Sequence, residues 1–391
     1  MPTLCGIDQV KEYGGILKGK RLGLVTGGSG LSRNLVASIE ILKESFDLRI
    51  LLSPEHGIRG EQQGGVLIEH YTDQHSGLPV YSLFADSIDT TIASPQAALY
   101  MPSQEALDQV DAIVMDIQDV GCRYYTYAST LFYVMKACAE AGKECIILDR
   151  PNPIGGKIEG NTHRTENLSF IGLTHIPNRH GMTLGELGRF YIGQYGINCQ
   201  LTVIPVSGWK RSMYFDETGL PAVCPSPNIP NLDAMVLYSG TCMLAGTNVS
   251  DGRGTTRPFE LIGAPYIDPF VLKEAMDSLH LPGLGFSVAY FIPSFFKYAG
   301  EVLPGLQIHV QNRKAVESVA LGVYLIDTIR NLWPDAFAWR EPQSGGRYHI
   351  DIESGTSEIR LGKAPEAILK GWEQEAAGFV QTRDQYGLYE E

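Results

Sequence analysis

Two kinds of apolar pattern alternate along the first half of the chain. Short runs rich in β-branched residues, Arg21–Thr26, Leu48–Ser53, Ala112–Ile117, Cys145–Asp149 and Leu201–Val206, predict strands. Longer stretches with apolar positions at helical spacing lie between them: Arg33–Phe46, Thr126–Ala141 and Thr183–Tyr195. Strands that are apolar on both faces and separated by helices belong in a parallel sheet covered on both sides. Right-handed crossovers then lead to an α/β fold, a Rossmann-like doubly wound parallel sheet.

The Pro-rich segment Cys224–Asn231 breaks the alternation and reads as a connector. Beyond it, a Gly-rich loop (Gly246–Gly254) and a helical stretch (Lys314–Trp333) predict a smaller C-terminal α+β domain. The expected division is 1–228 for a Rossmann-like catalytic domain and 229–391 for a domain that completes its cleft. A length of 391 residues fits two cores better than one.

A hydrophobic fraction of 44% with 19% charged residues places the chain among folded globular proteins. A net charge of -13 argues against nucleic acid and anionic membranes as partners, while leaving room for one or two arginines around a small anion. There is no basic start followed by an apolar run, and no stretch of membrane-spanning length. Seven cysteines without close pairs suit free thiols in a reducing compartment. Cytoplasmic is therefore the expected location, or extracytoplasmic if a native signal has been removed. Nothing in the sequence decides for or against a homodimer.

Ligands of open parallel sheets bind beyond the carboxyl ends of the strands. Three consecutive predicted strands end in charged and Pro- or Gly-fixed turns: Ser53-Pro54-Glu55-His56-Gly57, Asp116-Ile117-Gln118-Asp119, and Asp149-Arg150-Pro151-Asn152. Sheet topology alone would gather these carboxylates and cations at one rim. Each also has a structural reading. Glu55 would equally pair with Arg59 or His56, Asp116 and Asp119 would bond loop amides, and Asp149 with Arg150 would form a rim ion pair. Tyr124, Tyr125 and Tyr127 would pack a core, although adjacent tyrosines point different ways and at least one of the first two should line the cleft. Gly27–Gly30 lacks the spacing of a nucleotide loop, and Ser207-Gly-Trp-Lys210 lacks the partner motifs of a Ser-Lys hydrolase. The nine histidines contain no helical metal pair, and no Gly-x-Ser-x-Gly elbow occurs. Carboxylate chemistry with arginine-rich recognition remains, without metal or organic cofactor.

Six motifs in order carry a family likeness from about Ile16 onward. They are Pro54-Glu-His-Gly-Ile-Arg-Gly60, Asp116-Ile-Gln-Asp-Val-Gly121, Asp149-Arg-Pro-Asn-Pro-Ile-Gly-Gly156, Arg179-His-Gly-Met-Thr183, Pro225-Ser-Pro-Asn228, and Gly246-Thr-Asn-Val-Ser250 through Phe259. The chain resembles the exo-β-N-acetylmuramidase family of NamZ type, formerly a domain of unknown function. The resemblance implies an active site between two domains and release of N-acetylmuramic acid from the non-reducing end of β-1,4-linked peptidoglycan fragments, hence a muropeptide or muramic-acid disaccharide as partner. It places the family's proposed catalytic glutamate at Glu55. Three departures stand out: Ala245 where the family commonly has Glu, Gly27–Gly30 in place of an Asn-Pro-Thr-Gly type of loop, and Gly64-Gly65-Val66 in place of Ala-Gly-Glu. They leave the fold expectation intact and bear on the exact substrate.

On this reading Glu55 is the general acid, held by His56 or a neighbouring carboxylate. Asp116 or Asp119 is the base or electrostatic stabiliser, unless the substrate's own N-acetyl group assists. The lactyl carboxylate calls for a bidentate arginine from among Arg59, Arg123, Arg150, Arg179, Arg253 and Arg257. Gln118, Tyr124, Tyr125, Asn152, His180, Asn228 and Asn248 complete the candidate contacts. The rivals are a non-catalytic binder of cell-wall sugars, recognised by binding without turnover, a related hydrolase of altered sugar specificity, and an amidase or esterase, recognised by a Ser or Cys beside a histidine.

Overall fold

The computed structural model describes residues 2–84, 95–342 and 346–391. Its main sheet contains β1 (Arg21–Thr26), β2 (Asp47–Ser53), β3 (Tyr71–Thr72), β4 (Pro79–Ser82), β5 (Ala112–Asp116), β6 (Glu144–Leu148) and β9 (Gln200–Ile204) in the order β3-β4-β2-β1-β5-β6-β9. All neighbours pair in parallel except the edge strand β3, which runs antiparallel to β4. Counted without β3, the order is that of a dinucleotide-binding Rossmann sheet, with the chain reversing direction across β1 and β5. β1, β5 and β6 are buried nearly throughout because helices cover both faces.

Most predicted elements lie where the apolar pattern puts them, and two helices begin later than expected. Arg33 does not open a helix. Leu35 has a left-handed φ of 62°, the Ser32 N–H···Val36 carbonyl contact is 2.9 Å, and the helix starts only at Ser38. Amphipathic spacing cannot register a residue forced out of right-handed φ. Likewise the helix expected from Lys314 spans Ser318–Leu332, preceded by a turn from Asn312 to Ala315.

The C-terminal half holds a three-stranded antiparallel sheet: β10 (Leu261–Gly263), β12 (Leu303–Val310) and β11 (Leu284–Phe291), in that order. Its core of Leu237, Leu244, Ile262, Leu306, Leu321 and Trp372 is separate from the cores of the large sheet. A small two-stranded ribbon, β7 (Glu159–Thr162) with β8 (Pro177–Arg179), lies in the first half. The last long helix, Pro365–Tyr386, crosses back to that half: Phe379 joins the large-sheet core and Arg383 donates to the Gly156 carbonyl at 2.9 Å. Among the described residues, no helix is long and apolar enough to cross a membrane.

Candidate active site

A cavity of about 720 Å³ opens between the carboxyl ends of the parallel strands and the C-terminal half. The first half contributes Glu55, His56, Gln63, Gly64, Gly65, Tyr124, Tyr125, Thr126, Ser226 and Asn228; the second contributes Tyr238, Cys242, Ala245, Arg253, Phe259, Phe295, Phe296, Arg340, His349 and Glu353. This size falls in the range of small-molecule sites, roughly 300–1,000 Å³.

Glu55 reaches the cavity because β2 ends abruptly. Pro54 stops the ladder, and His56 and Gly57 follow with φ of 76° and 86°. The left-handed φ of Gly57 would strain any residue with a side chain there. Both carboxylate oxygens are held: Thr126 Oγ1 donates to Oε2 at 2.7 Å and the Gly65 N–H to Oε1 at 2.8 Å. Thr126 sits at the N-cap of the helix Tyr127–Ala141, yet its hydroxyl makes no capping bond and serves Glu55 instead. His56 does not hold Glu55. Its Nδ1 lies 3.0 Å from the Gln62 carbonyl, and its ring stacks on Tyr125 with centroids 6.4 Å apart.

Tyr124 and Tyr125 both line the cavity, although both are buried. The Tyr124 hydroxyl donates to the Ser239 carbonyl, tying the two halves together. Burial pushes both phenols well above their ordinary range, so they act as neutral walls. Asn228 also faces the cavity and donates to Gln63 Oε1 at 2.8 Å.

The remaining rim candidates do not line this cavity. Asp116 is fully buried and grips Arg150, with contacts of 2.7 and 2.9 Å and a further bond from the Ser38 hydroxyl. Asp119 accepts the Gly121 N–H at 2.6 Å and lies 3.6 Å from His180 Nε2. Gln118 donates to the Asp119 and Pro151 carbonyls, and Asn152 to the Met182 carbonyl. Arg179 pairs with Glu159 at 2.7 Å. Arg123 is buried among the carbonyls of Asn161, Ile176, Glu353 and Ser354, and desolvation lowers its pKa to about 10. Arg59 and Arg257 form partly exposed pairs with Asp73 and Glu260. Asn248 bonds Tyr266, Ala336 and Ala338 in a neighbouring recess. These groups sit at the rim because they hold its loops together.

Of the six arginines singled out, Arg253 alone lines the cavity. Burial opposes its charge, but Asp251, which it grips through Nε and Nη2, more than compensates and raises its pKa. Its guanidinium also lies 4.1 Å from the centroid of the Phe296 ring. Arg340, His349 and Glu353 on the C-terminal wall escaped sequence reading, as did Gln63, Thr126 and Ser226 on the facing side. Among the described residues the Arg340 guanidinium has no hydrogen-bond or ion-pair partner. Neither the six motifs nor helical periodicity marks Trp339-Arg340 or the short helix His349–Ser354. Gly246 signals their placement, because a Cβ there would come within 2.6 Å of the Ile350 nitrogen, so helix and loop touch backbone to backbone. Ala245 lies on this wall, which carries a carboxylate at Glu353 rather than at position 245. Among the described residues, no group of three or more His, Cys, Asp or Glu is arranged to hold a metal ion.

Comparisons with known proteins agree over the whole length. The family described as exo-beta-N-acetylmuramidase NamZ, N-terminal, matches residues 22–233, and its C-terminal counterpart matches residues 236–389. The chain is 42% identical to peptidoglycan beta-N-acetylmuramidase NamZ of Bacillus subtilis (strain 168) over 394 residues, covering 98% of this chain and 91% of the relative. A crystal structure of a DUF1343 family protein from Bacteroides fragilis NCTC 9343 superposes with a TM-score of 0.89 at 34% identity, covering 100% of this chain and 99% of the other. A second protein of that description from the same organism gives 0.76 at 29% identity, with both chains covered completely.

Proposed function

The chain belongs to the exo-β-N-acetylmuramidase NamZ family, which makes it a glycosidase, and from that premise we propose how its cleft works. The enzyme releases N-acetylmuramic acid from the non-reducing end of β-1,4-linked peptidoglycan fragments, and Glu55 protonates the departing glycosidic oxygen. The observation that carries this reading is the placement of Glu55 in the wall of the interdomain cavity, with a donor fixing each of its oxygens. A held carboxyl group meets the scissile oxygen in one orientation, which proton transfer in the transition state requires. The buried rings of Tyr124 and Tyr125 keep that side of the cavity free of competing charge.

Selection of muramic acid over glucosamine rests on the lactyl carboxylate. Arg253 is engaged by Asp251, so Arg340, whose guanidinium has no partner among the described residues, is the one that pairs with it. The seven cysteines are free and six of them buried, which supports a reducing, cytoplasmic setting. The test compares chromogenic β-N-acetylmuramide and β-N-acetylglucosaminide as substrates. Hydrolysis of the muramide with little turnover of the glucosaminide is expected. Turnover of the glucosaminide alone overturns the assignment.

A further inference from the structure

The cleft contains a second carboxylate with no task so far. Glu353 is 3% exposed and lines the C-terminal wall of the cavity. Its Oε1 lies 3.2 Å from His349 Nε2 and 3.8 Å from the Cys242 thiol. Its Oε2 is buried and has no hydrogen-bond partner among the described residues, and the same holds for His349 Nδ1. Such groups are few in native proteins, and each calls for a ligand or a function.

The surroundings say what kind of ligand. Cys242 and Ala245 present small side chains on the same wall, and Tyr238 and Phe259 present aromatic surface. An unpartnered carboxylate acceptor beside a recess walled by small and apolar groups complements an acetamido group, whose N–H seeks the acceptor and whose methyl seeks the recess. We infer that Glu353 Oε2 accepts the N–H of the sugar's 2-acetamido group, with the acetyl methyl against Cys242 and Ala245. His349, whose Nε2 lies 3.2 Å from the other oxygen, positions the carboxylate. This assignment rests on the muramidase reading and names the contact that recognises the N-acetyl substituent. It also moves the second carboxylate of the site from the sheet rim to the C-terminal half.

The test is a chemical cycle read by calorimetry. N-acetylmuramic acid and its 2-O-acetyl analogue, which keeps the carbonyl and methyl but lacks the N–H, are titrated into wild type, Glu353→Ala and Glu353→Gln. Wild type is expected to bind the N-acetyl sugar at least about 10-fold more tightly, the usual scale of a hydrogen bond to a charged acceptor. In Glu353→Ala the preference falls to about one. Glu353→Gln, with a thermal midpoint near wild type, reduces it at least about threefold and decides the matter if the alanine variant unfolds. An unchanged preference in the variants, or no preference in wild type, overturns the assignment of Glu353. If wild type binds neither sugar and leaves the muramide intact, the muramidase reading itself falls.

Discussion

The rim of the parallel sheet and the facing C-terminal wall both carry carboxylates, guanidinium groups and histidines, but their hydrogen bonds are arranged differently. At the rim Asp116 is closed onto Arg150 and Ser38, Arg179 onto Glu159, and Arg123 onto four carbonyls. Asp119 Oδ1 and His180 Nε2, left there without a hydrogen-bond partner among the described residues, belong to residues that do not line the cavity. Across the cavity, Arg340 and one oxygen of Glu353 are open. Charge density at strand ends is therefore a poor guide to chemistry. Unsatisfied donors and acceptors beside an opening are a better one, because a buried polar group left unpaired is costly unless something binds there. Glu55 lies between these cases, held at both oxygens yet facing the cavity.

Two substitutions divide the regions most strongly. Glu55→Gln keeps the shape and should lower kcat on the chromogenic muramide by roughly 10²–10⁴-fold, the contribution of general acid catalysis, with little change in thermal midpoint. A variant within a few-fold of wild type would remove Glu55 from the chemistry. At the rim, Asp116→Ala strands the buried guanidinium of Arg150 and should cost about 3–5 kcal/mol in denaturant unfolding, while folded molecules remain active. Intact stability combined with lost turnover would return Asp116 to the catalytic set and erase the contrast.

Much of the fold is visible in the sequence, because buried parallel strands are apolar throughout and their helices keep helical spacing. β1, β2, β5, β6 and β9 all follow from that pattern. β3 and β4 do not: two and four residues are too short to show a period, and β3 is an exposed edge. At the site, Glu55 stood out through the Pro and Gly that fix its turn. Asp116 and Arg150 looked equally eligible, since no linear pattern records which partner a buried charge has found. Arg340 and Glu353 were invisible for the opposite reason. They come from short segments that join the cleft only when the C-terminal half packs against Gly246.

The rim should also carry a pH signature. Burial raises the pKa of Asp149 to about 6, against the opposing pull of bonds from Tyr389, Thr183 and the Gly185 N–H. A carboxyl whose folded pKa is raised stabilises the fold in its protonated form. That stabilisation is complete below the ordinary value near 3.8 and is lost as pH rises through about 6. At 1.36 kcal/mol per pH unit the loss is about 3 kcal/mol. Urea midpoints of wild type and Asp149→Asn between pH 4 and 7 should diverge by about this amount, wild type falling relative to the variant as pH rises. Parallel curves would mean that Asp149 stays charged and that its donors, the Arg150 N–H among them, outweigh burial.

The smallest effect expected is the most specific. Arg340→Gln removes an exposed guanidinium with no partner among the described residues, so folding stability should stay within about 0.5 kcal/mol of wild type. Its loss should appear only when the substrate carries a carboxylate: kcat/KM on the muramide should fall about 10-fold, chiefly through KM, with any residual rate on the glucosaminide unchanged. Arg253→Gln is the contrasting control. It breaks a bidentate pair with the fully buried Asp251, so it should destabilise the protein before it says anything about the substrate. If Arg340→Gln lowered both substrates alike, the open guanidinium would be a general part of the cleft wall. Recognition of the lactyl group would then have to come from Arg253, and an already paired cation would be the one that reads the sugar.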